Sequence, residues 1–78
     1  MKIEVGQRIK ELRIEHGFNQ QQIADILGID RANYSKYELG KLELNLEMLV
    51  KLAKHYKISA DYILGLRADY IDGSPGRI

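Results

Sequence analysis

The sequence predicts an all-α fold, a compact bundle of five short helices, and three observations predict it. Four of the seven glycines, Gly17, Gly28, Gly40 and Gly65, each fall just past a run with helical apolar spacing. Asn19, Asp30, Asn45 and Ser59, residue types that cap helix N-termini, each stand just before such a run. No stretch alternates apolar and polar residues for long enough to make a strand.

The first helix runs from about Val5 to Glu15. Val5, Ile9 and Leu12 form its buried stripe, Gln7, Arg8, Lys10 and Glu11 lie off it, and Gly17 stops it. Asn19 with Gln22 makes a capping-box pattern that opens a second helix, Gln20 to Leu27. Phe18, just before the cap, is placed to staple onto Ile23, and Ile23, Ala24 and Leu27 share the buried face. Gly28 ends this helix, Ile29 is a short apolar plug, and Asp30 caps the third helix, Arg31 to Leu39. A turn this short suits two helices that cross steeply. On the third helix Tyr34 and Tyr37 lie on one side, and Arg31, Ala32, Ser35 and Lys36 on another.

Lys41 to Leu44 is a loop, apolar for a connection. Asn45 caps the fourth helix, whose expected buried stripe is Leu46, Leu49, Val50 and Ala53. Ser59 caps a fifth helix, Ala60 to Leu64, closed by Gly65. Residues 1–66 read as one domain, and 67–78 as a C-terminal tail, flexible or docked on a partner, because Gly73-Ser74-Pro75-Gly76 cannot continue a helix.

Seventy-eight residues suffice for one small core. With 45% hydrophobic and 29% charged residues the composition is that of a soluble globular protein. No apolar run approaches a membrane span, and Met1 to Val5 lacks the apolar centre of a secretory signal. The absence of cysteine removes disulfides and thiolate metal sites, so a cytoplasmic location is expected. The net charge is only +1, so any binding of nucleic acid must come from locally placed cations.

Chemistry-bearing constellations are scarce. His16 and His55 fall on different helices with no Cys, Asp or Glu at ligand spacing, so no metal site is expected. No glycine-rich phosphate loop or nucleophile elbow appears. No catalytic carboxylate pair stands out, and no cofactor or enzymatic activity is expected. Tyr34, Tyr37, Tyr56 and Tyr62 stand at helical spacing and read as core, with Tyr34 the exception considered below.

From Gln20 to Leu39 the residues resemble the phage repressor and Cro-like helix-turn-helix family of DNA-binding proteins. Ala24 stands where that family needs a small residue, Gly28 at the turn, and Ile23, Leu27, Ile29 and Tyr37 at its core positions. The flanks match too: Gly6-Gln7-Arg8-Ile9-Lys10-Glu11-Leu12-Arg13 before, Tyr37-Glu38-Leu39-Gly40-Lys41 after, then Leu49 to Ala53 and Ile58 to Leu64. The resemblance covers about Val5 to Leu66 and implies a lambda-repressor-like bundle. It departs from the family at two places. Tyr34 replaces the usual Ile or Val, so its hydroxyl is expected to reach the surface and a phosphate. Leu44-Asn45 replaces the proline common before the fourth helix.

The resemblance further implies that the third helix lies in the major groove of double-stranded DNA. Arg31, Ala32 and Lys36 would then contact base edges, while Gln20, Asn33, Tyr34, Ser35 and Lys41 would contact the backbone. The chemistry suits those roles: arginine bonds both guanine acceptors in a fork, lysine offers a point charge, alanine touches a thymine methyl. Arg13 and Glu38 match a pair that clamps the first helix to the third. The function so implied is a sequence-specific transcriptional regulator, a repressor acting as a homodimer on a palindromic operator. Leu39, Leu42, Leu44, Leu66, Tyr70 and Ile71 are the apolar candidates for the dimer contact. The alternative is an antitoxin-like or immunity module of the same fold, docking its apolar loop or tail on a protein.

Overall fold

The computed structural model describes residues 2–66, with side chains from Val5 onward. Five helices follow one another: α1 (Lys2–Glu15), α2 (Gln20–Leu27), α3 (Arg31–Glu38), α4 (Leu46–Tyr56) and α5 (Ala60–Leu64). Their order, the bounds of α2 and α5, and the start of α4 match the sequence reading. α1 begins three residues earlier than its apolar stripe suggested, at Lys2, and α3 gives up Leu39 to its C-cap.

Side-chain caps hold the helix starts. Asn19 Oδ1 accepts from Gln22 N at 2.8 Å while Gln22 Oε1 accepts from Asn19 N at 2.9 Å, so the capping box is closed in both directions. Asp30, Asn45 and Ser59 accept from Asn33, Met48 and Asp61 backbone N–H groups in turn.

The core comprises Ile9, Leu12, Ile23, Ala24, Leu27, Tyr34, Met48, Leu52, Tyr56, Ile58 and Ile63. Every helix contributes, and α1 packs on α3 and α5, α2 on α3 and α4, and α4 on α5. The α4 face differs from the expected one. Met48, Leu52 and Tyr56 are its buried positions, Leu49 and Ala53 edge the core, and Leu46 and Val50 are 75% and 40% exposed. The apolar arc of α4 exceeds half the helix circumference, and packing against α2 and α5 selects one flank of it.

Phe18 packs at the rim, its ring 4.9 Å from that of His55 and 6.4 Å from that of Tyr56. His16 and His55 thus flank the same Tyr56 ring, at 4.9 and 5.0 Å. Among the described residues, no three His, Cys, Asp or Glu side chains stand where they could hold a metal ion.

One glycine allows a close backbone approach that any side chain would block, and another lies under a flexible arginine. A Cβ on Gly6 would lie 2.5 Å from the carbonyl oxygens of both Tyr37 and Glu38, so α1 rests directly on the end of α3. A Cβ on Gly65 would lie 2.8 Å from Arg8 Nη1. Arg8 is therefore half-buried over the α5 terminus, although the apolar stripe placed it off the core.

Candidate nucleic-acid interface

The turn Gly28-Ile29-Asp30 joins α2 to α3, and Ile29 packs down onto the core beneath it. At 100° per residue, Tyr34, Tyr37 and Glu38 occupy one arc of α3, and Arg31, Ala32, Ser35 and Lys36 the adjoining arc, with Arg31 at the edge two turns before Glu38. Burial follows that division. Tyr34 and Glu38 are buried and Tyr37 is half-buried. Arg31, Ala32, Asn33 and Lys36 are exposed, and Ser35 is half-buried.

A polar network anchors the inner side. Glu38 is 7% exposed, and its carboxylate accepts four hydrogen bonds. Arg13 Nε donates to Oε2 at 2.7 Å and Arg13 Nη2 to Oε1 at 3.2 Å, a forked ion pair between α1 and α3. The Tyr34 hydroxyl donates to Oε2 at 2.6 Å and Gln20 Nε2 to Oε1 at 3.1 Å. Arg13 Nη1 also donates to Phe18 O at 3.0 Å, tying in the α1–α2 loop. One carboxylate thus connects α1, the start of α2 and the end of α3.

The network sets the ionisation of its members. Burial alone pushes the Glu38 carboxyl up, but bonds from Arg13, Tyr34 and Gln20 outweigh it and hold it below the usual carboxylate range. The Glu38 hydrogen bond, opposed by burial, raises Arg13. Burial, aided by the Glu38 bond, raises the Tyr34 phenol. The expected clamp between Arg13 and Glu38 is therefore present, with two further donors that the sequence reading did not include.

Tyr34 requires a correction. Its side chain is 0% exposed and its hydroxyl is spent on Glu38, so it offers nothing to a phosphate. The extra length relative to Ile or Val is used inward, toward an acid one helical turn away.

The outer side lies open. Arg31 and Lys36 make no ion pair among the described residues, and the one contact of the Arg31 guanidinium is a long one, Nη1 to Gln20 Oε1 at 3.5 Å. Since a carboxylate only accepts, Glu38 fixes the Gln20 amide with its nitrogen inward and its oxygen toward Arg31. Gln20 retains its second N–H, beside the first backbone N–H groups of α2. Lys41 is exposed just beyond α3, its backbone N–H bonded to Lys36 O at 2.9 Å.

Leu39, Leu42 and Leu66 are 60%, 38% and 69% exposed. Leu44 is instead half-buried against the core, because the chain turns inward there to start α4. Tyr70, Ile71 and the rest of the tail lie outside the described residues. No described helix is long and apolar enough to cross a membrane.

Known proteins share this fold. The helix-turn-helix domain family matches residues 6–67. The chain is 46% identical over 59 residues to the SPbeta prophage-derived uncharacterized HTH-type transcriptional regulator YonR of Bacillus subtilis, covering 76% of this chain and 55% of that one. It is 37% identical over 51 residues to the cryptic phage CTXphi transcriptional repressor RstR of Vibrio cholerae, covering 65% and 46%. The chain spans about half the length of the curated relatives it matches. Among solved structures, the restriction-modification controller protein C.AhdI of Aeromonas hydrophila superposes with a TM-score of 0.70 at 31% identity, covering 78% of this chain and 88% of that one. The P22 c2 repressor in complex with a synthetic operator does so with 0.69 at 26%, covering 90% and 96%. Matched by that family over most of its length, this chain belongs to the helix-turn-helix family of phage-repressor type.

Proposed function

We propose that the chain is a sequence-specific DNA-binding transcriptional regulator, a repressor that acts as a homodimer on a palindromic operator. The observation that carries this reading is the outer face of α3. Arg31 and Lys36 project from it with no ion pair among the described residues, on a helix anchored from beneath. A bulk charge of +1 cannot attract a polyanion by itself, so this local placement is what supplies the attraction.

In that role Arg31, Ala32 and Lys36 read base edges in the major groove. Gln20, Asn33, Ser35 and Lys41 contact the sugar-phosphate backbone, Gln20 through its remaining N–H and the start of α2. One eight-residue helix is about 12 Å long and reaches few base pairs. Two copies on half-sites about 10–10.5 base pairs apart supply the missing specificity. Repression follows by occlusion of the promoter, in the cytoplasm, without cofactor. The relatives support the reading: RstR is a transcriptional repressor, and the P22 c2 structure holds an operator.

The test is a gel shift of the chain against a pool of random duplexes at several salt concentrations. Retention that falls steeply as salt rises is expected. No retention at about 50 mM salt would reject the reading in favour of the protein-docking alternative.

A further inference from the structure

We infer that α4 carries a self-complementary surface on which a second copy of this chain docks, centred on Leu46 and Val50. The inference rests on the homodimer reading above and specifies its interface. It starts from the four exposed apolar side chains between Leu39 and Val50: Leu39, Leu42, Leu46 and Val50. Leu46 is 75% exposed, more than any other large hydrophobic of the described residues, and it sits one turn from Val50 on the same face of α4. Neither belongs to the core, and neither takes part in the polar network around Glu38.

The charges beside this ridge identify the occupant. Toward its N-terminal end stands Glu47, and toward its C-terminal end Lys51 and Lys54. Glu47 and Lys51 already meet within the chain, Lys51 Nζ lying 3.3 Å from Glu47 Oε2, with side chains 76% and 41% exposed. These charges share one flank of the ridge, and a second α4 laid parallel about a two-fold axis turns that flank away from its counterpart. Laid antiparallel about a two-fold axis near the middle of the helix, it sets opposite charges together. In a single register Leu46 meets the partner's Val50 and Glu47 meets the partner's Lys51. Apolar contact and charge pairing agree on that register, as an isologous interface demands. The antiparallel arrangement also opposes the two helix dipoles.

The contact is small. An eleven-residue helix is about 16 Å long, so the ridge falls short of the roughly 800 Å² per partner of a standard interface. Association in free solution is therefore weak, in the micromolar range or above, and adjacent half-sites on DNA strengthen it.

Sedimentation equilibrium of the full chain from about 10 μM to about 1 mM tests this. Wild type is expected to pass from monomer to dimer mass over that range. The Leu46→Glu/Val50→Glu variant is expected to stay monomeric, with a wild-type circular dichroism spectrum because both residues lie outside the core. Glu47→Lys is expected to weaken the dimer about tenfold, and Glu47→Lys/Lys51→Glu to restore it. If wild type dimerises and Leu46→Glu/Val50→Glu dimerises equally, this surface is wrong while the homodimer reading stands. If wild type remains monomeric at every concentration and on DNA, both fall, whether the ridge is covered by the chain's own tail or by another protein. Failure of Glu47→Lys/Lys51→Glu to regain the dimer would refute the antiparallel register.

Discussion

The Tyr34 hydroxyl donates to Glu38 Oε2 at 2.6 Å inside the domain, across one turn of the helix whose exposed arc carries Arg31 and Lys36. The bond completes the coordination of a buried carboxylate shared by Arg13 and Gln20. Removing it leaves Glu38 bonded but less well compensated. Tyr34→Phe is therefore expected to cost about 1.5–3 kcal/mol, the range for a hydrogen bond to a charged group. Urea unfolding checks this, and an unchanged midpoint would mean that the bond adds nothing in solution.

Glu38 also makes stability depend on pH. Its folded carboxyl is held below its unfolded value, because the bonds from Arg13, Tyr34 and Gln20 outweigh the opposing effect of burial. In the acid range the unfolded chain therefore binds more protons than the folded one, and stability rises with pH there. The contribution is fully present above the unfolded carboxylate value and is lost as pH falls through the folded one. Melting temperatures of wild type should drop between about pH 5 and about pH 3, and Glu38→Gln should start lower and show a shallower drop. Parallel pH profiles would show that other carboxylates control acid unfolding.

Gly6 allows α1 to rest on the terminal carbonyls of α3, where a Cβ would approach to 2.5 Å. Because backbone oxygens cannot rotate away, Gly6→Ala must displace one helix from the other. A loss of about 1–3 kcal/mol is expected, as for overpacked cores, even though alanine favours helix. A variant as stable as wild type by urea unfolding would mean that α1 shifts without cost.

Lys57 caps α4 with φ 58°, the one non-glycine residue at positive φ among the described residues. Glycine adopts that conformation without the steric penalty of a Cβ, at some cost in unfolded-state entropy. Lys57→Gly is expected to stabilise the domain by about 0.5–1 kcal/mol in thermal or urea unfolding. A destabilised variant would show that the lysine side chain contributes more than its backbone strain costs.

The helix order and caps were legible because they depend on local chemistry. Asn19, Asp30, Asn45 and Ser59 bond within three residues of themselves, and no tertiary contact is needed to anticipate it. The face of α4 was not legible to the same degree. Leu46, Met48, Leu49, Val50, Leu52 and Ala53 spread over more than half its circumference, so periodicity alone does not choose which flank turns inward. The contacts with α2 and α5 make that choice, burying Met48 and Leu52 and leaving Leu46 and Val50 outside.

At the candidate interface the same distinction holds. The exposed arc Arg31, Ala32 and Lys36 follows from helical spacing and a cap at Asp30. The inward turn of Tyr34 does not, because it depends on Glu38 being buried by α1 and already paired with Arg13. The spacing of Tyr34 and Glu38, four residues on one helix, was the available signal.

The most direct test of the central claim is selection of bound sites from a random duplex pool by wild type, Lys36→Ala and Lys41→Ala. Wild type should enrich a two-fold symmetric motif. Lys36→Ala should lose preference at one position of each half-site at a cost of about 1–3 kcal/mol, while Lys41→Ala should keep the motif and bind all sequences more weakly. No enriched motif, or the same uniform loss in both variants, would contradict the assignment of the outer face of α3 to base recognition.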